Sequence, residues 1–244
     1  MCLRWRSFSL MLLCAALVGC SAQQPRVEEF MVPMRDGVRL STVAAFPEGQ
    51  GPWPVVLSRT PYGKDAAIKD AGPFVKNGFV RVVQDLRGRY DSEGLDGIFV
   101  SDGWGEQQDG YDTIQWIAGQ PWCDGSAGMI GGSALGITQY LAAGCSPPAL
   151  KCCMPTVGAS SLYHHAAFPG GALGKALVED WTRDNNFSEH AIKNALNNPV
   201  YNDVWRCVDL LARASQVTVP MMHMGGWYDV FAQGTLDAFD ALQH

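Results

Sequence analysis

The chain has 244 residues, 47% of them hydrophobic and 17% charged, with 27 Gly, 14 Pro and a formal net charge of −6. That much apolar material fills one sizeable core, which excludes a disordered chain, a collagen-like repeat and a small disulfide-stapled scaffold. The acidic balance argues against nucleic acid as a partner, because phosphate binding draws on an excess of Lys and Arg.

Residues 1–19 read as an address. Arg4 and Arg6 form a short basic region ahead of an apolar run over 8–18. The run is shorter than the roughly 20 helical residues that cross a bilayer, so an export signal is expected rather than an anchor helix. Leu17-Val18-Gly19-Cys20 resembles the lipobox of bacterial lipoproteins. The resemblance implies lipid attachment at Cys20, a polar tether over 20–26 and an exported, membrane-anchored protein; the alternative is an ordinary signal peptide with an incidental cysteine. Past the tether stand Cys123, Cys145, Cys152, Cys153 and Cys207, with no CxxC pair and no Cys/His ligand spacing. No metal and no cofactor is expected.

From residue 27 strand-like and helix-like segments alternate. Runs 27–33 and 38–46 are extended and joined by Met34-Arg35-Asp36-Gly37, whose Asp-Gly suits a hairpin turn. Short apolar strands are expected at 54–58, 79–84, 127–131, 150–157 and 217–224. Helical spacing marks 110–117, 134–143 and 233–242. Strands separated by helices pair in parallel through right-handed crossovers. The expected fold class is α/β, a mostly parallel sheet opened by an antiparallel hairpin. Residues 161–214 break the rhythm, with helical patches at 172–181 and 204–212. An insertion of this size between core strands reads as a helical cap over a site, the alternative being a plain crossover helix with long loops.

Gly131-Gly132-Ser133-Ala134-Leu135-Gly136 falls between a strand and a helix. A serine among glycines at that junction has the pattern of a nucleophile elbow, because the turn forces strained backbone that only small neighbours tolerate. The elbow also aims the backbone N–H of Ala134 at a developing oxyanion. Gly-rich turns of this kind also bind phosphate, but neither GxGxxG with an acidic ribose partner nor Gly-Lys-Ser/Thr follows.

Four further stretches accompany the elbow: Met34-Arg35-Asp36-Gly37, Arg59-Thr60-Pro61-Tyr62, the run from Asp85-Leu86-Arg87-Gly88-Arg89-Tyr90 to Gly94, and Gly225-Gly226-Trp227-Tyr228-Asp229. In this order the five motifs resemble the X-Pro dipeptidyl-peptidase-like serine hydrolases, the cocaine esterase, glutaryl-cephalosporin acylase and α-amino acid ester hydrolase group. The resemblance runs from about residue 27 to the end. It implies an α/β-hydrolase domain over 27–244 that cleaves an ester or amide through an acyl-enzyme. Ser133 is then the nucleophile and Asp229 a buried triad acid. The Tyr62 hydroxyl and the Ala134 N–H form the oxyanion hole.

Two departures bear on specificity. Ala134 stands where the family usually has Tyr, which reshapes the acyl pocket. Ser160-Ser161-Leu162-Tyr163-His164-His165 lacks the carboxylates that hold a substrate ammonium in the α-amino acid ester hydrolases. The substrate is expected to be a small-molecule ester or amide, with acylase and X-Pro peptidase activities as alternatives. A catalytically inactive surface lipoprotein that keeps the fold for binding is the alternative from another class.

The hydrolase order is Ser, acid, His, and of His164, His165, His190, His223 and His244 only His244 follows Asp229. The family carries its His on a loop after a further strand. The chain is therefore expected to stop short of the final strand and of that loop. The missing C-terminal region of the same protein becomes its partner, and the isolated chain is expected to have little hydrolase activity.

Overall fold

The computed structural model describes residues 25–243. The leader, Cys20 and His244 lie outside them. Six strands form one sheet: β1 (Arg26–Pro33), β2 (Arg39–Phe46), β3 (Trp53–Thr60), β4 (Val80–Asp85), β5 (Cys123–Gly132) and β6 (Leu150–Thr156), in the order β1-β2-β4-β3-β5-β6. The pairs β1–β2 and β2–β4 are antiparallel, and β4–β3, β3–β5 and β5–β6 are parallel. The helices are α1 (Lys64–Ala67), α2 (Ala71–Lys76), α3 (Asp109–Ala118), α4 (Ala134–Gly144), α5 (Thr182–Asp184), α6 (Glu189–Leu196), α7 (Asp203–Arg206) and α8 (Ala232–Ala241).

The opening hairpin turns where Asp36-Gly37 stands. Gly37 has φ of 85°, the Gly37 N–H donates to the Met34 carbonyl, and the Met34 N–H donates to Val38. At the centre of the sheet Leu57, Val80, Val82 and Met129 pack with Ile114 and Ile117 of α3 and Tyr140 of α4. Burial of each such side chain contributes about 1.5–3 kcal/mol. The parallel strands all deliver their C-terminal ends to one edge, so the loops after β3, β4, β5 and β6 meet there.

Two expectations change in the structure. Residues 217–224 run along β6 but touch it only through parallel bridges at Cys153↔Met221 and Thr156↔Met224. The Pro155 carbonyl accepts from the Met224 N–H, yet Pro155 has no N–H to return, so the ladder breaks between the bridges. Residues 204–212 also divide. Helix α7 ends near Cys207, and the Asp209 carboxylate accepts the Leu211 N–H to start a separate 3₁₀ segment, Leu210–Gln216. The ends of the long insertion meet through a Ser161↔Asp209 bridge, with the Leu210 N–H donating to the Ser160 carbonyl.

A polar spine crosses the apolar interior beneath the loops. Arg59 and Asp102, both fully buried, form an ion pair. Arg59 Nε also donates to Gln84 Oε1 at 2.7 Å, and Gln84 receives Thr113 Oγ1 at 2.8 Å. Arg87 pairs beside it with buried Asp109 and with Asp36 of the hairpin turn. Removing one partner of a buried pair strands the other charge. Arg59→Met is therefore expected to lower the unfolding free energy by about 3–5 kcal/mol in urea titration, and a loss below about 1 kcal/mol would show that the pair carries no such weight.

Candidate active site

Ser133 joins β5 to α4 with φ of 56° and ψ of −123°, a region that side-chain-bearing residues rarely enter. Three contacts hold it there. The Ser133 N–H donates to Thr156 O of β6 at 2.9 Å, and the Ser133 carbonyl accepts from the N–H groups of Gly136 and Ile137. The glycines are dictated by space. A Cβ on Gly131, whose φ is 140°, would lie 2.4 Å from Leu135 Cβ, and one on Gly136 would lie 2.9 Å from Thr156 O. The Ala134 N–H is among the first-turn donors that helix geometry leaves without an intrahelical partner.

Ser133, Ala134 and Asp229 line one cavity of about 230 Å³. Its walls are apolar: Ile98 and Phe99 from the loop after β4, Leu162, Leu177 and Trp181 from the insertion, and Phe231 before α8. Asp229 was expected as a buried acid and is half-buried, between exposed Tyr228 and Val230. Its Oδ1 accepts the Phe231 N–H at 2.8 Å and its carbonyl accepts from Ala232, so the carboxylate also fixes the turn into α8.

Tyr62 does not line this cavity. Its backbone N–H donates to Thr60 Oγ1 at 3.0 Å, and its ring meets Trp181, a wall residue, edge to face at 6.3 Å. Nor does any described histidine line it. His165 is buried, accepts the Ser161 N–H at Nδ1 and pairs through Nε2 with Asp237 at 2.8 Å. His223 Nδ1 lies 3.0 Å from the Tyr140 hydroxyl, and burial lowers its pKa. His164 is exposed and stacks on Tyr201, and His190 is exposed. Among the described residues all five cysteines are free thiols, Cys153 buried and Cys152 exposed.

The sequence reading missed the wall residues Ile98, Phe99, Trp181 and Trp205. The available signal was the Gly94–Gly97 stretch, where two glycines precede a bulky apolar pair. Ile98 and Phe99 both have positive φ, 42° and 65°, which turns them toward the cavity instead of into a helix.

A mixed sheet opened by an antiparallel hairpin, with a strained serine between strand and helix, defines an α/β-hydrolase-type fold. The family model described as X-Pro dipeptidyl-peptidase (S15 family) matches residues 36–193 and 177–244, and the chain belongs to that family. It is 31% identical to cocaine esterase of Rhodococcus sp. (strain MB1 Bresler) over 87% of this chain and 46% of that protein. Among solved structures it is similar to a CocE/NonD family hydrolase from Staphylococcus aureus, with a TM-score of 0.77 and 28% identity over 90% of this chain and 44% of the other. An α-amino acid ester hydrolase shares the fold, with a TM-score of 0.63 and 23% identity over 96% of this chain and 49% of the other. The chain thus spans less than half the length of these relatives.

The elbow makes a stability prediction. Gly136→Val pushes a branched side chain into the Thr156 carbonyl, so a loss of about 2–4 kcal/mol is expected by thermal unfolding, with Ser133→Ala near neutral as the control.

Proposed function

We propose that this chain carries the nucleophile side of a serine hydrolase that cleaves a neutral ester or amide through an acyl-enzyme. The observation that carries the reading is Ser133, held strained at the β5–α4 turn and opening with Asp229 into one apolar cavity. Ser133 attacks the carbonyl, Asp229 orients the base, and the Ala134 N–H and the Tyr62 hydroxyl hold the oxyanion. Tyr62 reaches the reacting atoms when its loop and the Trp181 wall, already packed edge to face, shift together toward Ser133. The base is a histidine from outside residues 25–243, since those described have other partners or face solvent.

Substrate charge follows from the lining. Besides Asp229, the polar groups there are Ser133, Thr182 and Asn194, against walls of Leu, Val, Ile, Phe and Trp. A substrate carboxylate would be desolvated without a partner and beside the Asp229 charge, at a cost of several kcal/mol, and a substrate ammonium would find only Asp229, which the base occupies. An uncharged, bulky acyl group is favoured over an α-amino acyl group or the free N-terminus of an X-Pro peptide. In the same reading, Cys20 carries lipid and the hydrolase works outside the cytoplasm on a membrane tether. The rival reading is a lipoprotein that uses this fold and its apolar cavity for binding alone.

The test uses purified residues 20–244 with p-nitrophenyl butyrate. Turnover no faster than that of Ser133→Ala is expected, because loss of one triad member commonly costs about 10³–10⁶ in rate. Turnover well above that control would assign the base to His244. In a chain extended past residue 244 to supply the base, fluorophosphonate labelling confined to Ser133, and slowed about 10²-fold by Tyr62→Phe, supports the hydrolase; no labelling at Ser133 there supports the binder.

A further inference from the structure

Arg89 lies outside the cavity, yet its guanidinium touches the supports of three of its sides. The side chain is 8% exposed. Nε donates to the carbonyl of Pro61, the residue before Tyr62, at 3.3 Å. Nη1 donates to Asn186 O at 2.7 Å and Nη2 to Asn185 O. These carbonyls follow α5, the C-terminal end of the helical stretch that contains Trp181, where a cation is also favoured by the helix dipole. The guanidinium carbon sits 4.0 Å over the Phe187 ring, and that ring packs against Trp181 at 5.2 Å.

The remaining partner is Asp96, also buried, with an oxygen 3.7 Å from Nη1. Asp96 accepts the Ser188 N–H at 2.9 Å and the Ser188 hydroxyl. It immediately precedes the wall segment Gly97, Ile98, Phe99 and Val100. Close approach here depends on Gly88, with φ of 68°, where a Cβ would lie 2.3 Å from the Asp96 backbone nitrogen. One planar fork therefore joins the Tyr62 loop, the Trp181 segment of the insertion and the loop that lines the opposite wall.

We propose that Arg89 is a positioning residue that locks the Tyr62 loop to the insertion, so that the oxyanion donor and the cavity wall move as one body. The functional half of this inference rests on the hydrolase reading above; the mechanical half does not. Lysine cannot replace the fork, because a single ammonium cannot reach three carbonyls in different directions and lie flat on Phe187. A purely structural arginine would lower stability without linking these segments.

The test compares wild type, Arg89→Lys and Arg89→Met by amide hydrogen exchange in residues 20–244, and by the rate of fluorophosphonate labelling at Ser133 in a chain extended past residue 244 to supply the base. Exchange is expected to rise about tenfold together in peptides covering 61–64 and 181–188, and to stay unchanged in β3 and β5, with Lys intermediate. A rise in one segment alone, or wild-type protection in Arg89→Lys, overturns the coupling. Labelling is expected to slow about 10- to 100-fold in Arg89→Lys and to show no further slowing when Tyr62→Phe is already present. Full additivity of the two changes overturns action through Tyr62. A Ser133 that is unreactive in every variant counts against the hydrolase reading, while the exchange data still decide the coupling.

Discussion

The backbone at Ser133 is the constraint from which the rest of the site follows. Its left-handed conformation reverses the chain between β5 and α4 within one residue, and that reversal leaves the serine hydroxyl at the sheet edge where the cavity opens. The conformation costs about 1–3 kcal/mol by itself. It is held by the hydrogen bond from the Ser133 N–H to Thr156 on β6 and by the two N–H groups that close on the Ser133 carbonyl to begin α4. Those bonds draw α4 against the end of β5 and against β6 more closely than a side chain allows, which is why Gly131 and Gly136 flank the turn.

A second layer of constraint is electrostatic. Charges beneath an apolar cavity are tolerated only when they are paired and hydrogen-bonded. Arg59 with Asp102, Arg87 with Asp109 and Arg89 with Asp96 are paired in three places, although Arg59 Nη2 is buried without a hydrogen-bond partner. Each arginine belongs to a motif that the sequence singles out, and each ties a loop after a strand to another element. The loops gain fixed positions without regular secondary structure, and the cavity above them stays free of charge except at Asp229.

Much of this was legible in the chain because it depends on neighbours in sequence. The hairpin at Asp36-Gly37, the elbow at 131–136 and the alternation of strands with helices are local patterns, and the structure has all three. The run 217–224 looks like a strand by composition, but its pairing depends on the register against β6, where Pro155 removes a donor. The helical patch 204–212 divides at Asp209, where the chain bridges back to Ser161 and the Leu210 N–H donates to the Ser160 carbonyl. The pairings Arg59–Asp102 and Arg89–Asn186 span separations that no periodicity reports.

By itself the sequence determined the fold class and the family, and it singled out Ser133, Ala134 and Asp229, which line one cavity. The elbow at Ser133 and Ala134 was legible because short-range rules for turns and glycines act on consecutive residues, whereas Asp229 entered through the family resemblance. Only the tertiary structure decided that Tyr62 stands behind Trp181, that Asp229 is half-buried and caps the turn into α8, and that Ile98, Phe99 and Trp181 wall the cavity. These depend on how segments far apart in the chain are packed, and packing is fixed by volume and by the pairing of buried charges, not by local pattern.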